Sequence, residues 1–320
     1  MITNKYNYSI SRRQFMTMAG LATAGICLTP RQIFASGVSP VVTIRQAAAT
    51  AKIAVTQLRD NVSVLEGSGG NIAVLSGRDG KLLVDAGITA SRPRITEALA
   101  RIGPEPVQHL ISSHWHFDHT DGNAWLHSEG AEITGHVNTR KHLAVETRVD
   151  AWNFTFPPSP LGALPTHVFE DEHEIQINGM TLALKHYLPA HTDSDISVEF
   201  ADADILHVAD TFWNGVYPFI DYETGGSING LIRAAEANLA RVSDKTIVIP
   251  GHGPAVSNKA QLIEYRDMMV DVRDKVSALK QQGRSLVDVV AAKPTADYDA
   301  KWSGFVIDGS TFASLVYEGV

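Results

Sequence analysis

The run Ser113-His114-Trp115-His116-Phe117-Asp118-His119-Thr120-Asp121-Gly122-Asn123 restricts this chain more than any other stretch. Three imidazoles and a carboxylate lie within six residues, in the pattern H-x-H-x-D-H. The apolar run Val107–Ser112 precedes it and reads as a buried strand. His114 and His116 alternate, so extended backbone aims both rings to one side. Asp118 and His119 come from the following turn and can face a second position beside the first. Gly122 is expected to permit a tight turn there. A fold for this sequence must bring the run to a sheet edge, where strand ends hold loop residues rigidly.

Further donors sit at predicted strand ends downstream. His191 ends Leu188-Pro189-Ala190-His191, Asp210 ends Leu206-His207-Val208-Ala209-Asp210, and His252 lies in Ile249-Pro250-Gly251-His252-Gly253-Pro254. Imidazole and carboxylate without thiolate suit zinc, iron, manganese or cobalt, with zinc the default. The single cysteine, Cys27, excludes an intrachain disulfide and a Cys-rich zinc cluster. The remaining histidines, at 109, 127, 136, 142, 167, 173, 186 and 207, form no such pattern and read as surface or packing residues.

Short apolar runs alternate with turn signals through the chain. Strands are predicted over 62–65, 71–76, 81–85, 107–112 and 131–135, with a turn at Arg78-Asp79-Gly80. Helices are predicted from Ser91 to Arg101 and over 138–145. After an aromatic, proline-rich loop at 150–166, strands resume at 167–169, 174–177, 181–187, 196–200 and 205–209. A helix over 228–241, a strand over 246–249 and a long helix over 257–282 follow, with short helices near 285–292 and 310–317. The pattern predicts an α/β fold, two face-to-face sheets with helices outside. The 150–166 loop is either a flap over a substrate cleft or a surface loop with its own packing.

Three features together, H-x-H-x-D-H, then a separate His and Asp, then G-H-G, resemble the metallo-β-lactamase-fold hydrolase superfamily over about residues 55–282. The segment from Asp210 to Asp221 and the tail from Ala291 to Trp302 resemble exported bacterial members. The resemblance implies a four-layer αββα sandwich and two divalent metal ions, expected to be Zn2+, with Fe or Mn as alternatives. It implies that His114, His116 and His191 hold one ion, that Asp118, His119 and His252 hold the other, and that Asp210 bridges them. The expected activity is metal-assisted hydrolysis by a shared hydroxide of an ester- or amide-type bond, β-lactamase-like or lactonase-like. A phosphodiesterase or a glyoxalase II-like thioesterase is the alternative. Asp118 is expected to orient the attacking group and carry its proton. Tyr217 is a candidate hydrogen-bond donor to an oxyanion.

Thiolate-type β-lactamases of the fold carry Cys where Asp210 stands and Lys where Trp213 stands, so this chain departs from them. Trp115, Phe117, Trp213, Tyr217 and the aromatics at 152–156 suggest an apolar cleft mouth. Flavodiiron reductases have H-x-E in the motif, which His116 opposes, and mononuclear iron dioxygenases lack the second site. A non-catalytic binding module would be expected to have lost donors.

Of the 320 residues 44% are hydrophobic and 19% charged, an ordinary globular composition. A net charge of −8 disfavours nucleic acid as the partner, leaving a small-molecule substrate. The first 35 residues hold Lys5, Arg12, Arg13 and Arg31 and no acid. Ser11-Arg12-Arg13-Gln14-Phe15-Met16 resembles a twin-arginine export signal. The apolar run Met16–Leu28 is too short to span a membrane, which takes roughly 20 residues. The expected organisation is a signal peptide at 1–35, a linker at 36–50, a hydrolase domain at 51–282 and a helical extension at 283–320. Export by the twin-arginine machinery to the periplasm or beyond, without a stable membrane anchor, is therefore expected.

Overall fold

The structure, a computed structural model, describes residues 39–320. The expected export signal lies outside the described residues. The stretch expected to be linker contains a helix, α1 (Pro40–Ala48). Val41, Ile44 and Ala48 recur at helical spacing and bring one face inwards. Ser39 caps the helix and its hydroxyl donates to the Trp152 carbonyl at 2.8 Å.

Strands β1 (Ala54–Gln57), β2 (Val62–Glu66), β3 (Ile72–Leu75) and β4 (Lys81–Val84) form an antiparallel meander. Strand β1 was not legible, because its Ala54-Val55-Thr56-Gln57 is short and largely exposed. Helix α2 (Arg92–Ile102) leads to β5 (Val107–Ser112), which pairs parallel with β4. Short helices α3 (Phe117–Thr120) and α4 (Asn123–Ser128) follow, then β6 (Glu132–His136) and α5 (Val137–Ala144). A separate ribbon of β7 (Thr147–Val149) and β8 (Phe154–Phe156) precedes β9 (His167–Phe169), which closes the seven-stranded sheet beside β6.

The second sheet has five strands: β10 (Glu172–Ile177), β11 (Met180–His186), β12 (Ile196–Phe200), β13 (Ile205–Trp213) and β14 (Ile247–His252). Helix α6 (Ile228–Arg241) crosses between β13 and β14, which run parallel. The chain ends in α7 (Lys259–Gln281), α8 (Leu286–Ala291), α9 (Asp299–Trp302) and α10 (Gly309–Glu318).

Alternation in the strands builds the layers. Ala73, Leu75, Leu82 and Val84 face Leu182, Leu184, Val198 and Phe200 between the sheets. Ile72, Val74 and Leu83 point the other way, against Ile95 and Leu99 of α2. Leu206 and Val208 pack on the helices of the second sheet. With both faces covered, β3 and β4 read as continuous apolar runs. The result is the four-layer αββα sandwich. Its donor-bearing strand ends, those of β5, β13 and β14, share one edge of the two sheets. No helix among the described residues is long and apolar enough to cross a membrane.

Candidate metal centre

The sandwich edge gathers the sequence-predicted donors into two groups: His114, His116, His191 and Asp210; and Asp118, His119 and His252. Within each group the donor atoms all lie within 4.8 Å of one another. Asp210 also joins the groups, its carboxylate oxygens lying 3.3 Å from His191 Nε2, 3.2 Å from His119 Nε2 and 3.3 Å from His252 Nε2.

Four of the five rings, all but that of His252, are turned by a partner on the far side. His119 Nδ1 donates to Asp85 Oδ2 at 2.8 Å, and His116 Nε2 donates to Asp221 Oδ2 at 2.9 Å. His191 Nδ1 donates to the Phe219 carbonyl at 2.8 Å. Ser113 Oγ donates to Asp85 and so accepts from His114 Nδ1 at 3.0 Å. These bonds fix the tautomers, leaving the other nitrogen of each ring as a lone pair aimed at the centre. His116 Nδ1 and His191 Nε2 converge to 2.8 Å.

Charge in the cluster is unbalanced. Burial alone would raise Asp118, but His119 and His252 hold it down at about 2. Burial likewise opposes ionised Asp210, yet His252, His119 and His191 hold it well below the carboxylate range. Despite burial, Asp210 and Asp118 lift His119 well above the usual imidazole value and His252 to about 9. Burial, then the neighbouring His119, drives His114 well down. The two carboxylates thus favour positive charge among the rings around them. His114 Nε2 and Asp210 Oδ1 are buried with no hydrogen-bond partner. Seven such oxygen and nitrogen donors, two of them orphaned, could hold a pair of metal ions, and they fit divalent ones.

Local backbone makes the approach possible. Ala209 sits at φ +45°, in the left-handed region, where β13 slips register against β14 and turns Asp210 inwards. Gly251 of β14 lies so close that a Cβ there would fall 1.9 Å from Asp210 Oδ1. Gly122 does not serve a special turn conformation, its φ being −77°. A Cβ there would instead meet the Ala86 carbonyl at 2.5 Å.

A family model described as Metallo-beta-lactamase superfamily matches residues 65–254. The chain belongs to the metallo-β-lactamase superfamily. Solved structures with the superfamily fold agree. The sec-alkylsulfatase Pisa1 from Pseudomonas sp. is similar at TM-score 0.62 and 16% identity, over 86% of this chain and 51% of that one. This chain thus spans about half the length of that sulfatase. The DIM-1 metallo-β-lactamase is similar at TM-score 0.55 and 18% identity, over 68% of this chain and 97% of that one. A metallo-β-lactamase from Pontibacter korlensis gives 0.55 and 16%, over 69% and 100%. Fold and donor set together are those of this superfamily.

The superfamily centre opens into a cavity of about 480 Å3. Phe117, Trp152 and Trp213 line it; Trp115, Tyr217, Phe154 and Phe156 do not. Trp152, from the 150–166 loop, lies 4.8 Å from the His116 ring. Tyr217 does not reach the centre. Its buried hydroxyl donates to Asp299 Oδ1 at 2.9 Å and its ring stacks on Phe312 at 4.8 Å. Burial, then Asp299, pushes its pKa far up, so it is a tie to the C-terminal extension and no oxyanion donor. Asp85 and Asp221, which orient His119 and His116, were missed. The one signal for Asp85 was an acid ending the apolar strand Lys81–Val84.

Proposed function

We propose that the protein hydrolyses an ester-type bond, a lactone or carboxylic ester, in a neutral small molecule, using two divalent ions, zinc by default. One observation carries this reading: seven buried donors, with both carboxylates lacking a Lys or Arg partner among the described residues, open into a largely apolar cavity. Metal ions at such a centre supply charge that polarises a scissile carbonyl and makes water acidic enough to attack near neutral pH.

The chain's own residues supply the rest. Both carboxylates line the cavity, but Asp210 is 2% exposed and Asp118 14%, so Asp118 is the more open of the two. Asp118 is ionised at neutral pH and can take a proton on its carboxylate and pass it to a leaving group. Asp85 and Asp221 keep the rings from turning. Phe117, Trp152 and Trp213 keep water from the apolar side. Trp213, in place of a lysine, leaves the cavity without a point charge for a substrate carboxylate, which disfavours an anionic β-lactam.

The test is a panel of lactones, carboxylic esters, β-lactams, thioesters, phosphodiesters and a sec-alkyl sulfate, on protein of measured metal content. Turnover of the lactone or ester that rises with metal occupancy is the expected result. Inert esters beside rapid phosphodiester or thioester turnover would replace this reading with one of those activities. We also propose that Arg12 and Arg13 direct export by the twin-arginine route, on the strength of the motif.

A further inference from the structure

The two segments that flank the family-matched region meet at the cavity. From the N-terminal side come Ile44, Ala47 and Ala48 of α1. From the C-terminal side come Phe305, Val306 and Ile307, between α9 and α10. Phe305 is 38% exposed, yet its ring lies 5.7 Å from that of His252 and 5.9 Å from that of Trp213. Phe305 thus presents apolar surface to the cavity while packing against the rings of its wall. Helix α1 is held in place by polar bonds that leave this face open. Arg45 pairs with Asp121 at 2.9 Å, and Ser39 reaches the Trp152 carbonyl. Outside the donor set the one charged side chain lining the cavity is Glu66, and it is acidic.

We propose that α1 and the Phe305–Ile307 segment form a binding channel for an uncharged alkyl or aromatic arm of the substrate, with the reacting bond at the metal centre. The substrate class is then a lactone or ester bearing an apolar arm with no anionic group on it. This rests on the hydrolase reading above and narrows it. Continuity decides the occupant: the same cavity contains His116, Asp118, His191, Asp210 and His252, so what lies along the apolar walls is joined to what reacts. Glu66 turns away an anionic arm by like charge.

The test uses ligands that cannot be hydrolysed. Methyl ketones from 2-hexanone to 2-decanone are titrated calorimetrically into the intact, metal-loaded protein, beside ketones carrying a terminal carboxylate. Affinity should rise about fourfold per methylene, and the carboxylated ketones should bind at least tenfold more weakly. Ala47→Asp changes an exposed helical position and Phe305→Ala removes the overhanging ring. Each should flatten the dependence on chain length with metal content unchanged. Equal affinity along the series, or chain-length dependence untouched by both substitutions, would overturn the channel. Ketone binding as expected with no ester turned over keeps the channel and removes the hydrolase reading. Ester turnover indifferent to arm length and to both substitutions does the reverse.

Discussion

Asp118 and Asp210 have the same side chain in one cluster and different duties. Asp210 is enclosed, with three histidine nitrogens within 3.3 Å of its carboxylate. Asp210→Ala should therefore lower bound metal from about two ions towards one and sharply cut turnover, read by metal analysis alongside rate. Unchanged stoichiometry would make it a bystander. Asp118 faces the cavity, so its substitution separates occupancy from chemistry. Asp118→Asn keeps a ligand oxygen but takes no proton. With excess metal, kcat should stay depressed on the order of 10²-fold, within the usual range for acid–base assistance. The loss should shrink for substrates with good leaving groups, and full rescue on a poor one would reduce Asp118 to a ligand. All seven donors were legible in the sequence, since four sit in one short run and the other three lie at the ends of apolar stretches. Asp85 and Asp221 were not, because hydrogen bonds across the fold to His119 and His116 leave no spacing rule in the chain.

Among the elements, strands and long helices followed from periodicity, and the exceptions have physical causes. Helix α1 reads as linker in sequence because its small and branched residues carry a weak pattern; its buried face joins the core that holds Ile88, Phe117 and Trp152. Tyr217 reads as a candidate oxyanion donor in sequence because its hydroxyl lies in the short segment that follows Asp210. Its ring instead joins β13's following loop to α9 and α10. Tyr217→Phe should leave kcat within about twofold but lower stability by about 1–3 kcal/mol, the usual range for a lost hydrogen bond to a charged group. Urea melts would show this, and a rate loss at full stability would restore a catalytic role. A second element-level device is the stack of His136 on His186, at the β6–α5 junction and the end of β11, with centroids 3.7 Å apart. Burial, then His186, lowers His136 to about 4 against the partial opposition of Asp193 and Asp171. The unfolded chain therefore binds the extra proton first as pH falls. Stability held above about 6.5 should decline from there towards pH 4. His136→Asn, which can still cap α5, should blunt that decline in urea midpoints at pH 7 and 5; an unaltered pH slope would refute it.

At the scale of the whole molecule, the αββα order was legible because both halves repeat strands, helix, strands, helix. What composition could not give was the closure of the cavity by both ends of the described chain. Replacing both Arg12 and Arg13 by Lys should retain the protein in the cytoplasm, measured by cell fractionation, whereas normal periplasmic recovery would defeat the proposed export. The two-ended cavity also fixes an order of events during synthesis. A chain leaving the ribosome folds from its N-terminal side, and the last donor, His252, emerges well before Phe305 and α10. The full set of candidate donors is therefore made before the C-terminal wall of the cavity. The wall built by Phe305–Ile307 is thus the last part of the cavity to be added to the chain.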